Sequence, residues 1–306
     1  MRRVLLWAAR NRWLAERIPR LRFVRRAVRR FMPGESLDEA LAAAERERRS
    51  GIGTVFTFLG ENLTDAGATG RAATHYHDVL DRVAERGLSA EISVKLTHLG
   101  LDVDPALAAA AFDDLAEHAE RLANWAWIDM EGSAYTERTL ELYAAARERH
   151  EHVGLCIQAY LRRTPADVER LLPLRPAIRL VKGAYDEPAA IALRASRDVD
   201  AAYLGVGEQL LRGVADGRVA RFIAATHDVD LIERLADEAE RLGMGRNAVE
   251  VQMLYGIRVD QQRRLHAEGF EVRSLIAYGQ AWYAWYLRRL AERPANVLFA
   301  LRQLVP

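Results

Sequence analysis

Of the 44 basic side chains in this 306-residue chain, 42 are arginines and only Lys95 and Lys182 are lysines. Where a plain solvated charge suffices the chain uses Arg, so a position that kept Lys is a candidate for chemistry. Lys95 sits in the run ISVKL, on the same face of an extended segment as Ser93 and Thr97, and Asp129 ends the next apolar run, WAWID. A charge in such a run is expensive unless it is paired or used. Two readings stay open for Lys95: a structural pair with Asp129 and a Schiff-base lysine. The neighbouring carboxylate argues against the last, because it holds the ammonium charged. Arg179, in AIRLV, poses the same question.

The segment AWYAWYLRRLAERPAN (281–296) places Arg288 beside Arg289, with Trp285 three residues earlier. Adjacent helical residues point about 100° apart, so both arginines reach one ligand only if the helix lies across the mouth of a site. Two forked guanidinium groups suit a planar carboxylate. The alternative is a solvated helix face. His75-Tyr76-His77 has an H-x-H spacing, but on a helix residues two apart diverge by about 200°, and no metal site is expected. The single cysteine, Cys156, excludes an internal disulfide framework and reads as an inert core thiol.

Short β-branched runs that would carry these residues recur at 52–58, 90–96, 125–129, 153–160, 177–182, 219–226, 248–253 and 272–277. Between them lie helical patterns such as 105–122, 134–149 and 229–242. Eight βα units over this length fit the α/β class, as a closed (β/α)8 barrel over 50–306 preceded by a helical segment, 1–49. An open dinucleotide-binding sheet would want a G-x-G-x-x-G turn, which is missing. Chemistry in such a barrel sits at the C-terminal strand ends. Those positions hold Glu61, Lys95, Asp129, Glu131, Gln158, Arg179, Lys182, Thr226, His227 and Gln252.

Apolar residues make up 50% of the chain and its net charge is +1, which argues for a packed core and against nucleic acid as a partner. The balance is uneven. Residues 1–32 hold eleven Arg against Glu16, giving +10 and leaving −9 for the rest. This basic amphipathic leader suits either packing on its own acidic domain or a peripheral contact with an anionic membrane. No apolar stretch approaches the roughly 20 residues needed to span a bilayer.

Eight segments in order, FLGEN (58–62), SVKLTHLGL (93–101), IDMEGSAYTERTL (128–140), IQAYLRR (157–163), RLVKGAYDEP (179–188), ATHD (225–228), VEVQMLYGIR (249–258) and YLRRLAERPAN (286–296), resemble the proline dehydrogenase family. The resemblance implies a flavoenzyme; the expected location is cytoplasmic, and the basic leader 1–32 would suit a peripheral contact on the inner membrane face. The resemblance also implies FAD at the barrel mouth, hydride transfer from a cyclic amino acid to flavin N5, and a quinone as electron acceptor. It assigns Lys95, Arg288 and Arg289 to the substrate carboxylate, Asp129 to ordering Lys95, and Glu61 to a gate paired with an active-site Arg. Met130, Gln158, Arg179, the Val181-Lys182-Gly183-Ala184 segment, Thr226, His227 and Gln252 become cofactor contacts. Leu275 and Trp285 depart from the family, which has tyrosines there in the ring pocket. That departure leaves hydroxyproline or another modified cyclic amino acid open as substrate. Readings of another class are a non-catalytic carboxylate-binding barrel and a Lys95 Schiff-base lyase.

Overall fold

A computed structural model describes residues 11, 17, 28, 29, 31–283 and 285–287. Eight parallel strands close into one barrel in sequence order: β1 (Gly53–Phe58), β2 (Ala90–Val94), β3 (Ala126–Ile128), β4 (Val153–Gln158), β5 (Ala177–Val181), β6 (Arg221–Ala225), β7 (Glu250–Leu254) and β8 (Val272–Tyr278). The pairing Val55↔Leu275 between β1 and β8 closes the ring. Every expected strand is present, and the (β/α)8 class is the observed one.

The described helices are α1 (Leu37–Arg48), α2 (Ala66–Glu85), α3 (Pro105–Arg121), α4 (Thr136–Arg147), α5 (Thr164–Leu171), α6 (Ser196–Ala215), α7 (Val229–Arg241) and α8 (Val259–Ala267). Their starts are written in the sequence. Ser36 and Glu39 form a reciprocal capping box on α1. Asp104 caps α3 ahead of Pro105, and Asp65 caps α2 by accepting from the Ala68 amide at 2.7 Å. Among the described residues no helix is long and apolar enough to cross a membrane.

Strand side chains alternate between two environments, as the period of two requires. Ile92, Val94, Leu155, Ile178, Leu180, Val251, Met253 and Ile276 join the core between barrel and helices. Alternate residues enter the lumen, and there Lys95 and Arg179 are not the only charged groups. Glu91, Arg221, Glu250 and Arg273 also lie inside. Arg221 bridges Glu91 and Glu250, both at 2.7 Å, and Arg273 contacts the same two acids at 3.3 and 3.1 Å. The Trp127 indole donates to Glu91 at 2.7 Å. The two arginines balance the two glutamates, plugging the N-terminal end, which in this architecture serves stability.

Candidate active site

At the other end β2 delivers Ser93 and, one residue past its end, Lys95, while Asp129 follows β3 and β5 sends Arg179 across the lumen. Asp129 is where they meet. Its Oδ1 accepts from Ser93 Oγ at 2.7 Å and from Arg179 Nη2, and its Oδ2 accepts from Lys95 Nζ at 3.4 Å. Arg179 Nη2 also donates to Ser93 Oγ at 2.9 Å. Burial pulls the Asp129 carboxyl upward, but Lys95, Arg179 and the Ser93 hydroxyl outweigh it and hold the group below its ordinary 3.8. Arg179 is 2% exposed, whereas Lys95 and Asp129 are 12% and 18% exposed, so those two face the mouth. Two cations against one carboxylate leave this cluster with a net positive charge.

Glu131, two residues on, accepts from the Thr97 amide at 3.1 Å and the Thr97 hydroxyl at 2.6 Å, while burial pushes its carboxyl up. Thr97 Oγ in turn accepts from the Asn62 amide at 3.0 Å, which fixes the turn bearing Glu61 against the loop bearing Lys95.

Three buried side chains near this end carry polar atoms without partners: Gln158 Oε1, Arg179 Nη1, and both Nε2 and Oε1 of Gln252. Gln158 Nε2 is used, donating to the Met130 and Glu131 carbonyls at 3.3 Å each. Glu250 is in the plug, so Gln252, two residues along β7, shares its inward face one layer higher. Unmet donors and acceptors of this kind are costly. The set suits a flat ligand that itself presents both.

Beyond β5, Lys182 Nζ is held by Asp200 and by Asp228, the latter at 2.9 Å, so its charge is committed and the loop offers backbone instead. At Gly183, φ is +120° and a Cβ would stand 2.2 Å from the Tyr160 ring, so only glycine fits. Thr226 Oγ accepts from the Asp228 amide at 3.1 Å, and His227 Nε2 accepts from the Leu254 amide at 3.4 Å. A groove of about 620 Å³ opens between α6 and α7, lined by Arg197, Asp200, Leu204 and Arg234 among others.

On β8, Arg273 belongs to the plug, so Leu275 and Ala277 share its inward face. Ala277 packs in an apolar cluster with Leu59, Trp282, Tyr283, Trp285 and Tyr286. Trp285 therefore stands at the mouth end of β8. Arg288 and Arg289 lie outside the described residues. His75 bonds Tyr278 Oη at 2.8 Å, and His77 meets Asp114 at 2.9 Å together with His118, so the two histidines face different neighbours. The sequence reading missed Ser93 as a ligand of the Asp129 carboxylate and missed the α6–α7 groove. Ser93 had a signal, since it alternates with Lys95; the groove joins residues from two helices and had none.

A sequence model described as proline dehydrogenase matches residues 40–302. The chain belongs to the proline dehydrogenase family. It is 33% identical over 306 residues to proline dehydrogenase 1 of Bacillus subtilis (strain 168), covering 100% of this chain and 99% of that one. It is 34% identical over 285 residues to a proline dehydrogenase of Deinococcus radiodurans, covering 90% and 89%. Among solved structures, proline utilization A (PutA) from Bdellovibrio bacteriovorus, inactivated by N-propargylglycine, superposes with a TM-score of 0.80 at 23% identity, over 88% of this chain. That match spans 33% of the PutA chain, so it speaks for the fold alone.

Proposed function

We propose that this proline dehydrogenase family member oxidises L-proline to the cyclic imine, Δ1-pyrroline-5-carboxylate, using non-covalent FAD and passing the electrons to a quinone. The observation that carries the reading is the cationic Lys95–Asp129–Arg179 cluster beside the partnerless polar atoms of Gln158, Arg179 and Gln252. Those atoms fit a flavin ring, which offers donors and acceptors on one edge. Gln158, Arg179 and Gln252 would hold the ring together with Met130, while the Val181–Ala184 backbone, Thr226 and His227 would hold its chain. The groove between α6 and α7, with Arg197 and Arg234 on its walls, suits the phosphate half. When bound, FAD supplies the hydride acceptor.

The remaining roles fall to the chain. Lys95, with Arg288 and Arg289, grips the substrate carboxylate and fixes the ring orientation, which is most of what hydride transfer asks of a protein. Asp129 aims Lys95 and, with Ser93, holds Arg179 in place. Glu61 acts as the gate. The ring nitrogen must shed its proton before hydride can leave, so turnover falls at low pH. The Lys95–Asp129 pair speaks against a Schiff-base lyase, because it engages the amine that such a reaction needs free.

Leu275 and Ala277, with Trp285 nearby, give the ring end of the site an apolar lining, which favours rings without a hydroxyl. The purified protein should be yellow, and anaerobic L-proline should bleach it. A colourless protein that takes up no FAD overturns the proposal. A panel including 4-hydroxyproline and N-alkylated proline would rank the substrates.

A further inference from the structure

The connection between β5 and α6, residues 182–195, contains no helix or strand of its own beyond an isolated bridge from Ala192 to Leu161. A loop of this length holds one shape only where it is tied down. Several ties run to the neighbouring loop after β4. The Leu193 amide donates to the Tyr160 carbonyl at 2.8 Å, the Arg162 amide to the Ile191 carbonyl at 3.0 Å, and the Tyr160 hydroxyl to the Tyr185 carbonyl at 3.3 Å.

One tie reaches further. Glu187 spans past β4 to the loop after β3, where its Oε1 accepts from the Ser133 amide at 2.7 Å and its Oε2 from the Ser133 hydroxyl at 2.5 Å. Pro188 follows and biases Glu187 toward extended backbone, so the carboxylate is offered from a stiffened position. Ser133 lies four residues after Asp129 and Glu187 five after Lys182. The contact therefore joins the loop carrying Asp129 and Met130 to the loop carrying Val181–Ala184.

We infer that Glu187 is a positioning residue, a latch whose two-pronged grip on Ser133 holds the Val181–Ala184 backbone in the shape that retains the cofactor. The inference rests on the flavin reading above. The latch acts through the loop, so its loss shows in how tightly FAD is held. Glu187→Gln keeps the grip, since an amide oxygen still accepts from the Ser133 amide and its NH2 donates to the hydroxyl. Glu187→Ala abolishes it, and Ser133→Ala removes half.

The test titrates FAD into each flavin-stripped full-length variant by fluorescence, with release rates by stopped flow and thermal unfolding of the stripped proteins as a control. Glu187→Ala should weaken FAD binding roughly tenfold or more, mainly through faster release, with Glu187→Gln within about threefold of wild type. The double variant should be no worse than Glu187→Ala alone, because the two residues act through one contact. Unchanged FAD affinity in Glu187→Ala, a change confined to thermal unfolding, or full additivity in the double variant would each overturn the latch while leaving the flavin reading intact. Failure of wild type to bind FAD would overturn both.

Discussion

Asp129→Asn removes one charge and almost no volume, so it isolates what the carboxylate does. Three donors converge on Asp129: Ser93 Oγ, Arg179 Nη2 and Lys95 Nζ. An amide offers one acceptor oxygen and one donating NH2. If the oxygen serves Ser93 and Arg179, the NH2 faces Lys95, donor against donor, and the ammonium leaves its position. Losing one hydrogen bond to a charged group costs ~1.5–3 kcal/mol. At about 1.4 kcal/mol per factor of ten, kcat/KM for proline should fall roughly 10- to 150-fold. Folding stability should drop too, with ~3–5 kcal/mol as the upper end for breaking a buried pair, since the amide still serves Arg179. The assay is anaerobic flavin bleaching in a stopped-flow instrument across proline concentrations, with thermal unfolding alongside. A variant that retains FAD and keeps kcat/KM within about threefold of wild type would refute the idea that Asp129 aims Lys95. The acid limb gives an independent check. The folded-state pKa of Asp129 is depressed, so its stabilising contribution is complete above 3.8 and drains away as pH falls through the lower folded value. The Asn variant lacks that loss and should be less acid-sensitive than wild type below pH 3.8.

Arg221→Ala leaves Glu91 and Glu250 buried with Arg273 as their one remaining shared cation, so stability should fall, with ~3–5 kcal/mol as the upper end in chemical unfolding, while KM of the folded fraction stays unchanged. A raised KM with normal stability would mean that the plug is not confined to the foundation. Burial raises the Glu131 carboxyl above 4.5, so ionising it costs the folded state more as pH rises through that raised value. Thermal scans of Glu131→Gln should accordingly shift in favour of the variant as pH rises above 4.5, and a gap that does not move with pH would contradict it. Leu275→Tyr restores a phenol at the ring end of the site and should raise the preference for proline over bulkier analogues in a substrate panel; unchanged ranking would mean that Leu275 does not shape the ring pocket.

The barrel was legible because its signal is local. Each strand is a short apolar run bounded by caps and turns, and eight such runs leave few other architectures. Lys95 and Asp129 were legible for a similar reason, since each ends a run where solvation changes abruptly. What the sequence hid were relations between runs. Glu91, Arg221, Glu250 and Arg273 stand in four different strands and look, one at a time, like residues that ought to face solvent. Only the register shows that they meet. The Glu187–Ser133 contact skips a whole βα unit and has no local trace at all.

The two charged layers of the lumen obey the same electrostatics with opposite outcomes. In the plug, two arginines meet two glutamates, every acid is matched, and the 4.8 Å approach of Arg221 to the Trp125 ring seals the layer with aromatic surface. A balanced layer attracts no further charge, which is why it serves as foundation. Toward the mouth, Lys95 and Arg179 share the single carboxylate of Asp129. On the proposed reading, the substrate carboxylate would supply the missing anion on binding. The imbalance is tolerable because Lys95 keeps part of its surface in water, whereas Arg179, wholly buried, spends its charge on Asp129 and Ser93. Moving the unmet charge one layer deeper would leave it unsolvated and unreachable. The strand end is therefore the place where a cation can be both affordable and available, and the chain put its rare lysine there.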